Sequence, residues 1–174
     1  MRSLEVKNLE AKFSLPDLDQ ARRQAEAIGY RFECALTQRD TFFRVARGKL
    51  KLREEGDRAT LIYYAREESR ADLALSKYEI VAVSDGPKTR SMLADSLGIL
   101  AEVRKNRTLM MRDNVRFHLD RVERLGNFGE IEAVIAPGRE PEESRGAVNE
   151  LLAALGIAPD ALIGASYFEM LAHD

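Results

Sequence analysis

The chain has 174 residues, enough for one domain with a proper core, and its 45% hydrophobic and 32% charged residues are ordinary for a soluble globular protein. A formal net charge of −2 excludes the global basicity of a nucleic-acid binder, and a single cysteine, Cys34, excludes an internal disulfide and fits a reducing cytoplasm. Met1 to Lys7 has no apolar core of signal-peptide length and no apolar run approaches a membrane span. The expectation is a cytoplasmic protein forming one domain over residues 1–174, with neither membrane nor nucleic acid as partner.

In chain order, Asn8 to Phe13 alternates with the two-residue period of a strand, placing Asn8, Glu10 and Lys12 on one face. Ser14 and Pro16 announce a helix that carries Leu18, Ala21, Ala25 and Ile28 at helical spacing and stops at Gly29. A strand is predicted near 33–37, where Cys34 reads as a small buried residue. Arg47-Gly48 marks a tight turn into Lys49-Leu-Lys-Leu-Arg53, whose strict alternation aligns three cations about 7 Å apart. Thr60 to Arg66 reads as its hairpin partner, 67–76 as a surface loop, and 77–83 as a strand placing Lys77 and Glu79 together. A helix from Pro87 to Leu97 follows, stopped at Gly98. The order strand, Pro-started helix, Gly stop and strand thus occurs at 8–37 and again at 77–109, which predicts a pseudo-duplicated sheet. Strands at 103–109, 115–122 and 128–135 come next, then a helix from Glu142 to Leu155 and a shorter helical segment from Pro159 through Tyr167 to Leu171.

Charges at i, i+2 on so many strands permit two architectures: an open sheet with one wet face, or an antiparallel barrel with the charges inside and helices covering the apolar side. For the barrel, the charged face would carry nine cations (Lys12, Lys49, Lys51, Arg53, Arg66, Lys77, Lys105, Arg107 and Arg116) and five carboxylates (Glu10, Glu79, Asp120, Glu130 and Glu132). Buried like charge is costly unless neutralised. A triphosphate with divalent metal meets both needs, because cations grip phosphate oxygens and carboxylates hold Mg2+ or Mn2+. Singly, Glu130-x-Glu132 or Lys105-x-Arg107 reads as a solvated face; repetition across strands is what favours the site. His118 reads as structural.

The residues that carry a family resemblance are Asn8-Leu-Glu10-Ala-Lys12, Asp40-Thr-Phe-Phe43, Lys49-Leu-Lys-Leu-Arg-Glu54, Lys105-Asn-Arg107, His118-Leu-Asp120, Leu125-Gly-Asn-Phe-Gly-Glu-Ile-Glu132 and Ser166-Tyr167. In this order and spacing the chain resembles the CYTH superfamily, the triphosphate tunnel metalloenzymes, and within it the class IV adenylate cyclases. The resemblance implies an α+β fold, an eight-stranded antiparallel β-barrel forming a tunnel with helices packed outside. It implies Mg2+ or Mn2+ as cofactor, ATP or another triphosphate as partner, and permits a homodimer.

Carried over by position, Glu10, Asp120, Glu130 and Glu132 would hold metal; Lys12, Lys49, Lys51, Arg53, Arg66, Lys77, Lys105 and Arg107 would contact phosphate; Lys12, Glu10 and Asp120 would form the catalytic set. This sequence departs from the family's Glu-x-Glu-x-Lys signature at Asn8, whose amide oxygen can ligate Mg2+ but brings no charge. Phe42 stands where tyrosine is common. The implied reaction is cyclisation of ATP to cyclic AMP and pyrophosphate; hydrolysis of tripolyphosphate, thiamine triphosphate or nucleotides is the alternative, and a non-catalytic triphosphate sensor a third.

Overall fold

Alternation decides which side of each strand is dry. On Val115–Val122, Val115, Phe117 and Leu119 pack into the main core, whereas Arg116, His118 and Asp120 project from the opposite face. The computed structural model describes residues 7–64, 74–75, 78–135 and 141–172. Its strands are β1 (Lys7–Ser14), β2 (Arg31–Phe43), β3 (Lys49–Glu55), β4 (Arg58–Tyr64), β5 (Ala74–Leu75), β6 (Tyr78–Val83), β7 (Ile99–Arg112), β8 (Val115–Val122) and β9 (Gly126–Ile135). Its helices are α1 (Leu18–Ala27), α2 (Gly86–Leu97), α3 (Pro141–Ala154) and α4 (Tyr167–Ala172), with a 3-10 turn at Pro159–Ala161.

The strands form one antiparallel sheet in the order β5-β1-β9-β8-β7-β2-β3-β4-β6, eight long strands and the two-residue β5. This order explains the internal echo. Each half runs β-α-β-β-β, β1 to β4 and β6 to β9, and the halves exchange their first strands: β1 pairs with β9, β6 with β4, and β2 with β7 along the centre. Leu75 pairs with Leu9 at one edge, and three residues later Tyr78 pairs with Tyr64 at the other. Three residues span at most roughly 11 Å. The two edges therefore lie side by side, and the sheet curls into a tunnel, although no ladder closes it among the described residues.

The helices cover the outside. Phe13, Phe117 and Ile131 pack with Ala21 and Ala25 of α1 and with Val148, Leu151 and Leu155 at α3. A smaller outer core joins Phe43, Leu52 and Ala59 to Leu93 and Ala94 of α2. Asp17 caps α1 by accepting from the Asp19 and Gln20 amides, and the chain leaves that helix through Gly29 at φ +95°.

The strands predicted at 33–37 and 103–109 are longer than expected. They run Arg31–Phe43 and Ile99–Arg112, because each is the other's neighbour along the centre of the sheet. Glu79 is a correction: it stands opposite Tyr63 on the exposed outer side rather than with the tunnel cations. Cys34 is half-buried on β2 rather than buried.

Candidate active site

Register places the charged residues on one wall after another. Glu10 stands opposite Glu132 and Lys12 opposite Glu130; Glu130 faces His118, and Glu132 faces Arg116. Asp120 stands opposite Arg107, Gln38 opposite both Lys105 and Glu55, Asp40 opposite Arg53, and Phe42 opposite Lys51. Residues opposite one another share a face, so a single inner surface collects these groups from β1, β9, β8, β7, β2 and β3. Arg66 and Lys77 lie outside the described residues.

On one side Asp40, 3% exposed, binds two cations: Lys51 Nζ donates to Oδ2 at 3.0 Å, and Arg53 donates to both oxygens at 2.7 Å. Burial pushes the Asp40 carboxyl up, but Lys51 and Arg53 overcome it and hold the group well below the usual carboxylate range. On the other side Arg107 donates to both oxygens of Asp120 at 2.7 Å and to Glu130 Oε2 at 2.5 Å. Burial again opposes ionisation of Asp120 and Glu130, and Arg107 reverses it for both. A bidentate guanidinium fits this task better than an amine could. His118 is buried beside them with Nδ1 3.7 Å from Glu130 Oε2, too long for a hydrogen bond. Burial and then Arg107 lower its pKa, so its imidazole is held neutral.

Lys105 differs from the other inner cations. It is 6% exposed and makes no ion pair among the described residues. Burial, then repulsion from Arg107, brings its ammonium down to about 7, against the attraction of Asp40 and Asp120.

α4 enters this space from the C-terminal end. Tyr167 Oη donates to Asp120 Oδ2, and its ring lies 4.5 Å from Lys12 Nζ and 5.1 Å from Lys105 Nζ. Phe168 stacks on Phe42 at 4.9 Å between centroids, and Glu169 accepts from Lys49 at 2.6 Å. Burial opposes the Glu169 charge, but Lys49 and the Ser166 amide and hydroxyl bring its pKa to about 2. Part of the inner face is thus apolar: Phe42, Val103, Val122 and Phe128 pack round Tyr167.

The expected cation excess is not found among the described residues. The inner face carries seven cations (Lys12, Lys49, Lys51, Arg53, Lys105, Arg107, Arg116). Against them stand seven carboxylates: Glu10, Asp40, Glu55, Asp120, Glu130, Glu132 and, from α4, Glu169. Asp40, Glu55, Tyr167 and Glu169 were missed as site residues. Asp40 and Tyr167 stood inside recognised motifs, whereas Glu169 shows itself only once α4 is placed. No three His, Cys, Asp or Glu side chains converge as a ready metal cage among the described residues. The donor chemistry still fits a hard divalent ion at Glu10, Glu130 and Glu132, three carboxylates on adjacent positions of β1 and β9. Asp120 is committed to Arg107 and Tyr167.

A CYTH domain model matches residues 6–167, nearly the whole chain. The chain belongs to the CYTH domain family. CYTH proteins are metal-dependent triphosphate tunnel enzymes, and the curled sheet with its inward charges is compatible with that fold. The Methanocaldococcus jannaschii protein MJ0240, provisionally named an adenylate cyclase, is 26% identical over 171 residues, 93% of this CYTH chain and 97% of its own. Among solved structures, PH1012 from Pyrococcus horikoshii superposes with a TM-score of 0.81 at 23% identity, covering 93% of this chain and 98% of that one. HpAC1 from Hippeastrum, an adenylyl cyclase by provisional name with a dominant triphosphatase activity, superposes with a TM-score of 0.69 at 18% identity, covering 97% and 95%. No described helix is long and apolar enough to cross a membrane.

Proposed function

We propose that this CYTH domain binds ATP through its triphosphate and converts it to cyclic AMP and pyrophosphate. The observation that carries the reading is the convergence of Lys51, Arg53, Lys105 and Arg107, all largely buried, on one inner face with Lys12 and Lys49 beside them. Four largely buried cations, two on β3 and two on β7 with β2 between them, supply the charge that a chain of phosphates needs. Near-complete coverage by an archaeal relative named as an adenylate cyclase supports the choice of reaction.

In this reading the ATP 3′-hydroxyl oxygen forms a bond to the α-phosphorus and gives up its proton; the bond to the bridging oxygen breaks, and pyrophosphate carries the charge away. Lys51, Arg53 and Arg107, oriented by Asp40, Asp120 and Glu130, would turn their remaining N–H donors to the phosphate oxygens before and after that exchange. The 3′-hydroxyl proton passes to solvent, and Lys105, protonated as phosphate charge beside it raises its pKa, serves as a fourth cation. Glu10, Glu130 and Glu132 would hold Mg2+ or Mn2+, with Asp120 joining once Tyr167 releases it. The ion would supply Lewis-acid polarisation of a phosphate oxygen.

Hydrolysis of the terminal phosphate is the second reading, favoured by the dominant triphosphatase activity of the neighbour HpAC1. Purified protein incubated with Mg2+ or Mn2+ and either ATP or tripolyphosphate, followed by chromatography of the products, decides between them. Cyclic AMP with pyrophosphate supports the cyclase and orthophosphate the triphosphatase. Tight binding without turnover overturns both.

A further inference from the structure

Two polar groups on the inner face lack partners, and they stand opposite each other. Gln38 of β2 is 3% exposed, and its side-chain oxygen is buried with no donor among the described residues. Lys105 of β7 is 6% exposed and makes no ion pair among them, although its ammonium carries three donors. The two residues form one cross-strand pair, which brings their Cβ atoms to about 5 Å apart on a shared face. A buried amide oxygen without a donor is costly, and native folds keep few of them.

Glu55, on the other side of Gln38, fixes which way the amide points. Gln38 Nε2 donates to Glu55 Oε1 across the β2–β3 pair. A carboxylate only accepts, so the amide nitrogen has to face Glu55 and the oxygen has to face away from it, towards β7. Turning the amide over would set its oxygen against the Glu55 carboxylate. Glu55 is itself steadied by Arg53, whose Nε lies 3.9 Å from the same oxygen. Glu55, Gln38 and Lys105 thus form a row across β3, β2 and β7, with an acceptor held ready beside a lysine that has none. The carboxylates nearby are committed, Asp40 to Lys51 and Arg53, and Asp120 to Arg107 and Tyr167. In this structure Lys105 Nζ lies beside the Tyr167 ring instead, 5.1 Å from its centroid.

We infer that Gln38 is a positioning residue for Lys105: its side-chain oxygen accepts from the ammonium and fixes where that charge meets an anion in the tunnel, while Glu55 holds the amide in place. The inference rests on the triphosphate reading above and adds the group that aims one of its cations. An ammonium has donors enough to bind Gln38 and phosphate oxygens together. Lys51 and Arg107 are oriented by carboxylates, which cancel charge as they orient. A neutral amide aims Lys105 and leaves its whole charge to the ligand.

The chain has three glutamines, and Gln20 and Gln24 lie on α1, outside the tunnel. In protein labelled with 13C at the glutamine side-chain carbonyl, Gln38→Met identifies the Gln38 resonance. Saturating tripolyphosphate in EDTA should shift that resonance in the wild type and leave it in place in Lys105→Met, with Gln20 and Gln24 unmoved in both. A shift of equal size in Lys105→Met, or none in the wild type, overturns the positioning role. Calorimetry with the same ligand completes a double-mutant cycle. Gln38→Met should weaken tripolyphosphate by about tenfold, the scale of one hydrogen bond to a charged group, and by less than about twofold in combination with Lys105→Met. An equal loss in both backgrounds makes Gln38 merely structural and overturns the inference, leaving the triphosphate reading intact. Gln38→Asn keeps an amide but is one carbon too short to bridge Glu55 and Lys105, and it serves both measurements if Gln38→Met does not fold. Wild-type protein that binds no tripolyphosphate overturns the triphosphate reading and this inference with it.

Discussion

Tyr167 Oη and Arg107 Nη2 donate to the same oxygen, Oδ2 of Asp120, at 2.8 and 2.7 Å. The C-terminal helix and the tunnel wall thus compete for one buried carboxylate, and the ring of Tyr167 also rests beside Lys12 and Lys105. Removing the hydroxyl while keeping the ring separates these effects. Tyr167→Phe should cost about 1–2 kcal/mol in urea denaturation, since Asp120 keeps Arg107. It should also raise affinity for Mn2+, measured by calorimetry, if Asp120 becomes available as a ligand. Unchanged Mn2+ affinity would remove Asp120 from the metal set.

Arg107 neutralises two buried carboxylates at once. Arg107→Met should destabilise the fold by roughly 3–5 kcal/mol, because Asp120 and Glu130 lose the partner that overcomes their burial. The pH dependence has a definite sign. In the wild type Asp40, Asp120 and Glu130 titrate below their unfolded values, so their stabilisation is present above about pH 4.5 and is lost as pH falls through the folded pKa values. In Arg107→Met burial acts on Asp120 and Glu130 with less opposition, and stability should begin to fall at a higher pH. Urea midpoints from pH 3 to 7 read the shift directly.

Lys105 lies near its midpoint at neutral pH before any ligand arrives. Phosphate charge beside it must raise that pKa, so tripolyphosphate binding between pH 7 and 9 should take up protons, and affinity should fall as pH rises. Calorimetry in buffers of different ionisation enthalpy measures the uptake. Lys105→Met should abolish most of it; an unaltered uptake would assign the proton to another group.

Glu132 is half-buried, and Arg116 donates to it at 3.3 Å. Glu132→Ala should abolish metal-dependent turnover while leaving thermal unfolding near that of the wild type. Full activity in this variant sinks the assignment of Glu132 to the metal.

Lys51 shares Asp40 with Arg53, which already holds both oxygens. Lys51→Ala therefore leaves Asp40 paired, and its main effect should fall on the ligand. Tripolyphosphate should weaken by tenfold or more and orthophosphate by far less, because only the longer anion reaches from Lys51 to Arg53. Equal weakening would show that Lys51 is not a tunnel cation.

The strands were legible because their period is two and one face is dry: β8 was predicted with its observed bounds, and the charged residues of β1, β3, β7 and β9 do face inward together. The helical caps also gave α1 and α2 within two residues of their bounds. Charge balance was not legible. Asp40 lies in a stretch, Arg39-Asp-Thr-Phe-Phe, where alternation is broken by consecutive buried residues, so nothing local marks it as an inner carboxylate. Tyr167 meets Asp120 across 47 residues of chain and Glu169 meets Lys49 across 120, contacts that no periodicity encodes. Glu79 was misplaced because its face is fixed by pairing with Tyr63 rather than by its own neighbours.

The strict alternation on β9, where Glu130 and Glu132 face the tunnel and Gly129, Ile131 and Ala133 face the core, makes the chain unequally tolerant of two kinds of change. A substitution at Glu130 or Glu132 alters chemistry and leaves packing intact. Deleting one residue between Gly126 and Glu130 would shift every later side chain of β9 to the opposite face, placing Ile131 in the tunnel and the carboxylates under Phe13 and α3. Exchange of a single inner residue can therefore change the chemistry of this face, whereas a change in strand length disrupts both the face and the core behind it.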